Sequence, residues 1–184
     1  MRNDSDRWDR ALTIDYQGSG LSIREVGPPS LHYISGAKVL SLYREQLVEW
    51  PTIAGEGPIA LVLRRDRVLF VGQTCLSTGY HHEKGLAVSN VTSKYVSLEA
   101  EGLQAVKFVS ALCGLRLEHP SRSAIRTIFG EPVSVYRYRN ANVLRLLIQR
   151  AAVPSLTKRL EMELSASYQT IVSDLAKDPL FGTS

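Results

Sequence analysis

The stretch 90-NVTSKYVSLEAEGLQAVKFVSALCGL-115 decides how this chain is read. A β-branched, alternating segment runs into Gly102 and continues as an apolar segment of helical length. The spacing predicts a strand over Ala87 to Ala100, a sharp turn at Gly102, and a helix over Leu103 to Leu115. Apolar residues cover almost every face of that helix, which predicts burial on more than one side. Gly102 permits backbone geometry that a side chain would resist. Asn90 and Thr92 are suited to satisfy backbone groups in the turn before the strand.

Working outward, the clearest hairpin upstream is PIALVLRRDRVLFVG, two apolar arms around Arg64 to Arg67. Ala37 to Glu49 carries apolar residues at helical spacing and stops at Trp50-Pro51, because proline disfavours helical geometry in the residue before it. Leu12 to Glu25, with Gly18 and Gly20, reads as a strand or two with a turn, and Gln73 to Leu86 as a loop. Downstream, Ala124 to Phe129 is a short strand or helical turn. VSVYRYR (133–139) and VLRLLIQ (143–149) form a second hairpin around Asn140-Ala141-Asn142. Pro154 and Ser155 open a last helix, with serine placed to cap free N–H groups, and Leu156, Leu160, Leu164, Tyr168, Ile171 and Leu175 mark its apolar stripe. Strands and helices interspersed with hairpins predict an α+β fold, a largely antiparallel sheet with helices on one face.

The chain has 184 residues, 44% of them apolar and 22% charged, which is ordinary globular composition. A chain of this size buries roughly 70% of its unfolded surface, so one substantial core is feasible. The expected organisation is a polar tail over 1–10, a single domain over 11–176 (with lobes at 11–86 and 87–176), and a C-terminal tail over 177–184. No apolar run reaches the ~18 residues of a membrane span, and the charged start, MRNDSDRWDR, has no apolar segment behind it. Cys75 and Cys113 show neither CxxC nor metal spacing, so a cytoplasmic, thiol-reduced protein is expected. The net charge of +4 permits an anionic partner without demanding one.

Chemistry-bearing motifs are sparse. His81-His82-Glu83 is the densest metal-type cluster, but neighbours in sequence point apart, and a polar surface loop is the simpler account. Cys75 has no nearby base to activate it, and there is no GxSxG turn. Glu99 and Glu101 share a strand face at i, i+2, which reads as a solvated strand edge rather than an acid/base pair. Neither GxxxxGK[ST] nor GxGxxG occurs, and YQGSGLS (16–22) reads as a turn. The hairpin VYRYRNANVLRLLIQR offers Arg137, Arg139, Arg145 and Arg150 to phosphates, and Tyr136 and Tyr138 for stacking. Alternation puts Arg137 and Arg139 on the face opposite the tyrosines, which separates charge from platform. A protein interface is the better use of such a hairpin.

From Ala87 onward the chain resembles the gamma subunit of heterotetrameric sarcosine oxidase, a small relative of the aminomethyltransferase (T protein) of glycine cleavage. Asn90-Val91-Thr92 stands where that group has D-[LV]-S. VSLEAEG supplies the strand and Gly102, and LQAVKFV supplies the helix alanine, Ala105, and an aromatic, Phe108. Arg126-Thr127, the hairpin 133–149 and LTKRLEMEL follow in the family's order. DRVLFVG resembles the strand before the family's P-D-E-W-type segment, where this chain has GQTC. The resemblance covers residues 10 to 165. It implies an aminomethyltransferase-like small subunit without catalytic or cofactor-binding residues of its own. It implies Asn90, Thr92, Gly102, Ala105, Arg126 and Thr127 as structural motif residues. Its partners would be larger flavoprotein subunits carrying FAD, FMN and NAD. Together they would demethylate sarcosine or a related N-methyl amino acid oxidatively and pass the one-carbon unit to tetrahydrofolate. The chain is about half the length of a full aminomethyltransferase, so a complete folate site is not expected. Two alternatives stay open: a free-standing folate-binding relative of the T protein, and an RNA-binding module acting through 133–150.

Overall fold

The computed structural model describes residues 15–18, 20–114 and 119–176, with side chains as far as residue 165. The expected tails at 1–10 and 177–184 lie outside the described residues, as do the side chains of Tyr168, Ile171 and Leu175.

Two sheets stack face to face. The first is built from β1 (Asp15–Gly18), β2 (Leu21–Val26), β10 (Tyr95–Glu101), β13 (Val143–Gln149), β12 (Glu131–Tyr138) and β11 (Ile125–Ile128), in that spatial order and antiparallel throughout. The two-residue β5 (Ile53–Ala54) pairs parallel with the end of β12. The second sheet runs β4 (Leu47–Val48), β6 (Ile59–Arg64), β7 (Arg67–Val71), β3 (Leu31–Ser35), β9 (Leu86–Asn90) and β8 (Gly79–His81). It is antiparallel except at β4 and β6. Helices α2 (Ala105–Cys113) and α3 (Val153–Ala176) cover the outer face of the first sheet, and the one-turn α1 (Val39–Leu42) lies against the outer face of the second. The α+β class, with antiparallel sheet and the two longer helices on one face, is as the pattern predicts. The second sheet is an addition to it.

The period-2 alternation of β10 explains the layering. Val96, Leu98 and Ala100 enter the core beneath α2 and α3, with Val133, Val135, Leu144 and Leu146. Tyr95 points the other way, into a core shared by the two sheets with Leu31, Leu61, Leu69, Tyr136 and Leu147. The strand is buried on both faces up to Ala100, so hydrophobic burial holds it in register from two sides.

The single strand expected over Ala87 to Ala100 is two strands in two different sheets. A 3-10 turn, Thr92–Lys94, carries the chain from β9 to β10. Asn90 Oδ1 accepts the Thr92 N–H at 3.0 Å. Thr92 Oγ1 accepts the Leu31 N–H at 2.9 Å and donates to the Leu31 carbonyl at 3.4 Å. The Val91 N–H reaches that same carbonyl at 2.8 Å, and its side chain is buried. This corner lets one stretch of chain serve both sheets.

Other expectations change. The helix over Ala37 to Glu49 is only α1, followed by a 3-10 turn (Arg44–Gln46) and β4. A lone short helix is marginal, whereas Leu47 and Val48 gain sheet pairing with Ala60 and Leu61. Strand β3 follows Pro28-Pro29, in a segment to which the pattern assigns no element, and β8 lies inside the expected loop 73–86. Helix α2 is buried on one side only, at Ala105 and Val109, while Lys107 and Ala111 face solvent. It ends at Gly114 in the left-handed region, φ 59, and Leu115 lies outside the described residues. Ser155 sits inside α3 rather than before it, and its hydroxyl donates to the Ala152 carbonyl at 2.9 Å.

At Gly102 φ is 118. A Cβ there would fall within the van der Waals envelope of the Gly20 carbonyl. The close approach lets Gln104 N–H bond Gly20 O at 2.9 Å, while Gly102 N–H bonds Asn142 O at 3.0 Å. The turn therefore ties α2 to two hairpins at once.

Candidate functional site

The inner face of the first sheet, between the two sheets, carries the polar groups. Register fixes them. Glu99 stands opposite Arg24 on one side and Arg145 on the other. Glu99 is 4% exposed, on a strand with neighbours on both sides. It is thus no solvated edge residue, contrary to the sequence expectation; its partners are strands the local sequence does not identify. Arg24 Nη2 donates to its Oε1 at 2.6 Å, and Arg145 Nε donates to its Oε2 at 2.7 Å. Burial pushes the Glu99 carboxyl up, but the two guanidinium groups together outweigh it and hold it below the usual carboxylate range. Such a carboxylate stays ionised with both oxygens engaged, which suits a structural charge and not a proton shuttle. Glu101, on the same face, is exposed, 3.9 Å from Arg24.

The network continues along the hairpin. The Arg145 guanidinium lies 4.4 Å from the centroid of the Tyr138 ring and that of Arg139 lies 5.0 Å from it. Arg139 also pairs with Glu56 at 2.9 Å. Arg139 has φ 61, so strict alternation fails there and it joins the tyrosine side instead of Arg137. Arg137 instead lies over Trp50, 5.2 Å from the ring. Tyr136 is 3% exposed, and burial keeps its phenol above the ordinary range. Arg150 Nε donates to the Ser93 carbonyl at 3.1 Å. Among these six hairpin residues only Arg139 is largely exposed. The tyrosines are turned inward or covered by arginine, so the hairpin presents no open stacking platform for nucleic acid bases.

At the other end of the inner face a cleft of about 230 Å³ opens between the sheets. The first sheet contributes Tyr95, Ser134 and Gln149; the second contributes Tyr33, Arg64 and Arg67. The Tyr33 and Tyr95 hydroxyls are 2.5 Å apart, and burial raises the Tyr95 phenol far above its ordinary value. Arg67 Nε donates to Ser35 Oγ at 2.9 Å. Sequence reasoning missed this group. Its only local signal was the Arg64–Arg67 hairpin turn.

The remaining candidates stand apart. Arg126 Nη1 donates to the Ser123 and Ile125 carbonyls, both at 2.7 Å, and burial lowers its guanidinium below the ordinary range. Thr127 is exposed and Ala105 fully buried. The His81 ring donates to the Ser77 carbonyl at 2.7 Å, and His82 meets the edge of Tyr80. Among the described residues no three His, Cys, Asp or Glu side chains gather as metal ligands would. Cys75 is exposed, and the Cys113 thiol donates to the Val109 carbonyl at 2.9 Å. Among the described residues no helix is long and apolar enough to cross a membrane.

No family model matches the chain, and no curated protein matches it by sequence. Among solved structures, a chain of the heterotetrameric sarcosine oxidase from Corynebacterium sp. U-96, in complex with pyrrole 2-carboxylate, matches with a TM-score of 0.59. The match covers 83% of this chain and 88% of that chain at 15% identity. The two chains share a fold. At so low an identity the likeness is one of fold alone.

Proposed function

We propose that this chain is a non-catalytic accessory subunit, of the gamma type, in a multi-subunit flavoenzyme resembling sarcosine oxidase. The observation that carries the reading is the fold shared along most of both chains, which also makes them similar in length. The interior supports it: the buried carboxylate Glu99 is matched by Arg24 and Arg145, an arrangement that fixes architecture. In this reading residues 11–176 act as one unit. Larger partner chains carry FAD, FMN and NAD, oxidise sarcosine or a related N-methyl amino acid, and pass its one-carbon unit to tetrahydrofolate. Arg139 at the hairpin tip and the terminal helix α3 are the partner-facing features.

The test is to purify the chain alone and record its visible spectrum and its activity toward sarcosine. The reading expects a folded, colourless, inactive protein. Stoichiometric flavin in the isolated chain would overturn it.

A further inference from the structure

We propose that the cleft between the two sheets binds a small organic carboxylate. Arg64 and Arg67 stand opposite one another across the β6–β7 turn, and like charges facing across a hairpin repel. Among the described residues neither has a carboxylate within ion-pair distance. Asp66, in the turn between them, is exposed and pairs with neither. No acidic side chain lines the cleft. An anion placed there meets two guanidinium groups, and an arginine fork matches a carboxylate in two parallel hydrogen bonds.

The wall opposite supplies neutral donors. Ser134 is 5% exposed and lines the cleft, where its hydroxyl is a neutral donor. Gln149 stands opposite Tyr95 in the β10–β13 register, and the Tyr95 and Tyr33 hydroxyls share a hydrogen bond. One of the two hydroxyls donates to the other, so one hydroxyl hydrogen of the pair remains to serve another acceptor. Leu63, Ile125 and Pro132 complete an apolar wall, which favours an organic body over a bare inorganic ion. The volume lies below the ~300–1,000 Å³ of drug-sized sites, so the ligand is small.

The experiment is a titration of the isotope-labelled full chain with benzoate, its neutral counterpart benzamide, and inorganic phosphate, followed by NMR. The proposal expects benzoate to cause saturable shifts at Tyr33, Tyr95 and Ser134, and benzamide to cause none. The Arg64→Gln/Arg67→Gln variant should weaken benzoate binding by about tenfold or more, as loss of charge-assisted bonds dictates. Should that variant fold poorly, Ser134→Ala provides the same comparison with a smaller loss. No saturable shift with benzoate, equal shifts with benzamide, or full binding in the variants would overturn the proposal. Binding of phosphate without benzoate would overturn the assignment to a carboxylate.

Discussion

Glu99 and Arg145 face one another across β10 and β13, carboxylate and guanidinium 2.7 Å apart on the inner face of the sheet. Arg145 is also largely buried, with its guanidinium over Tyr138. Removing the carboxylate leaves that cation without its counter-charge, which is the costly way to break a buried pair. Arg24 is half exposed and recovers hydration, so the loss is smaller than for a fully buried triad. Glu99→Gln is expected to destabilise the protein by about 2–3 kcal/mol at neutral pH, measured by urea unfolding.

The same pair sets a pH dependence. The Glu99 carboxyl binds its proton less readily in the folded protein than at its ordinary value of 4.5. Its contribution is therefore present above that value and lost as pH falls through the depressed folded value. Acid titration of stability should show the gap between wild type and Glu99→Gln closing as pH falls over that window. A gap that stays constant would mean that Glu99 does not act through its charge.

Gly102 allows a sharper backbone test. Ala at this position meets both a φ of 118 and the Gly20 carbonyl, and should cost more than about 2 kcal/mol. Gly85 has φ 61 with open space around its missing side chain, so Gly85→Ala should cost only about 1 kcal/mol. Urea midpoints of the two variants, compared at equal slope, measure the difference.

Thr92 holds the corner between the sheets. Thr92→Val keeps the shape but removes the acceptor for the Leu31 N–H, and should cost about 1–2 kcal/mol. Amide exchange at Leu31 should accelerate in the variant, which locates the effect at the corner.

How much of this could be read from the chain follows from which interactions are local. The hairpins at 59–71 and 131–149 are visible because alternation and turn residues lie within a dozen positions. Gly102 is visible because a glycine set between a strand pattern and a helix pattern marks the turn that joins them. The Glu99 network is not, because Arg24 lies 75 residues away and its register emerges only once β2 pairs with β10. The crossover at Thr92 was hidden for a related reason. The β-branched pair Val91-Thr92 continues the strand pattern through it, and periodicity alone does not tell which sheet a strand joins. The cleft draws on both sheets, so no single segment announces it.

Core and surface leucines should separate cleanly. Leu147 is fully buried between the sheets, whereas Leu103 is 79% exposed beside Gly102. Leu147→Ala should cost about 2–5 kcal/mol, and Leu103→Ala should stay within about 0.5 kcal/mol. Thermal unfolding of the two variants checks both.

The place of this chain in a larger flavoenzyme is tested most directly by gentle affinity purification of the tagged chain from its native host. The bound chains are identified by mass spectrometry and the visible spectrum is recorded. An accessory subunit should bring down larger flavoprotein chains in stoichiometric amounts, with a flavin spectrum that leaves with them when they are stripped away. A colourless chain recovered alone, folded and without flavoprotein partners, would contradict that role.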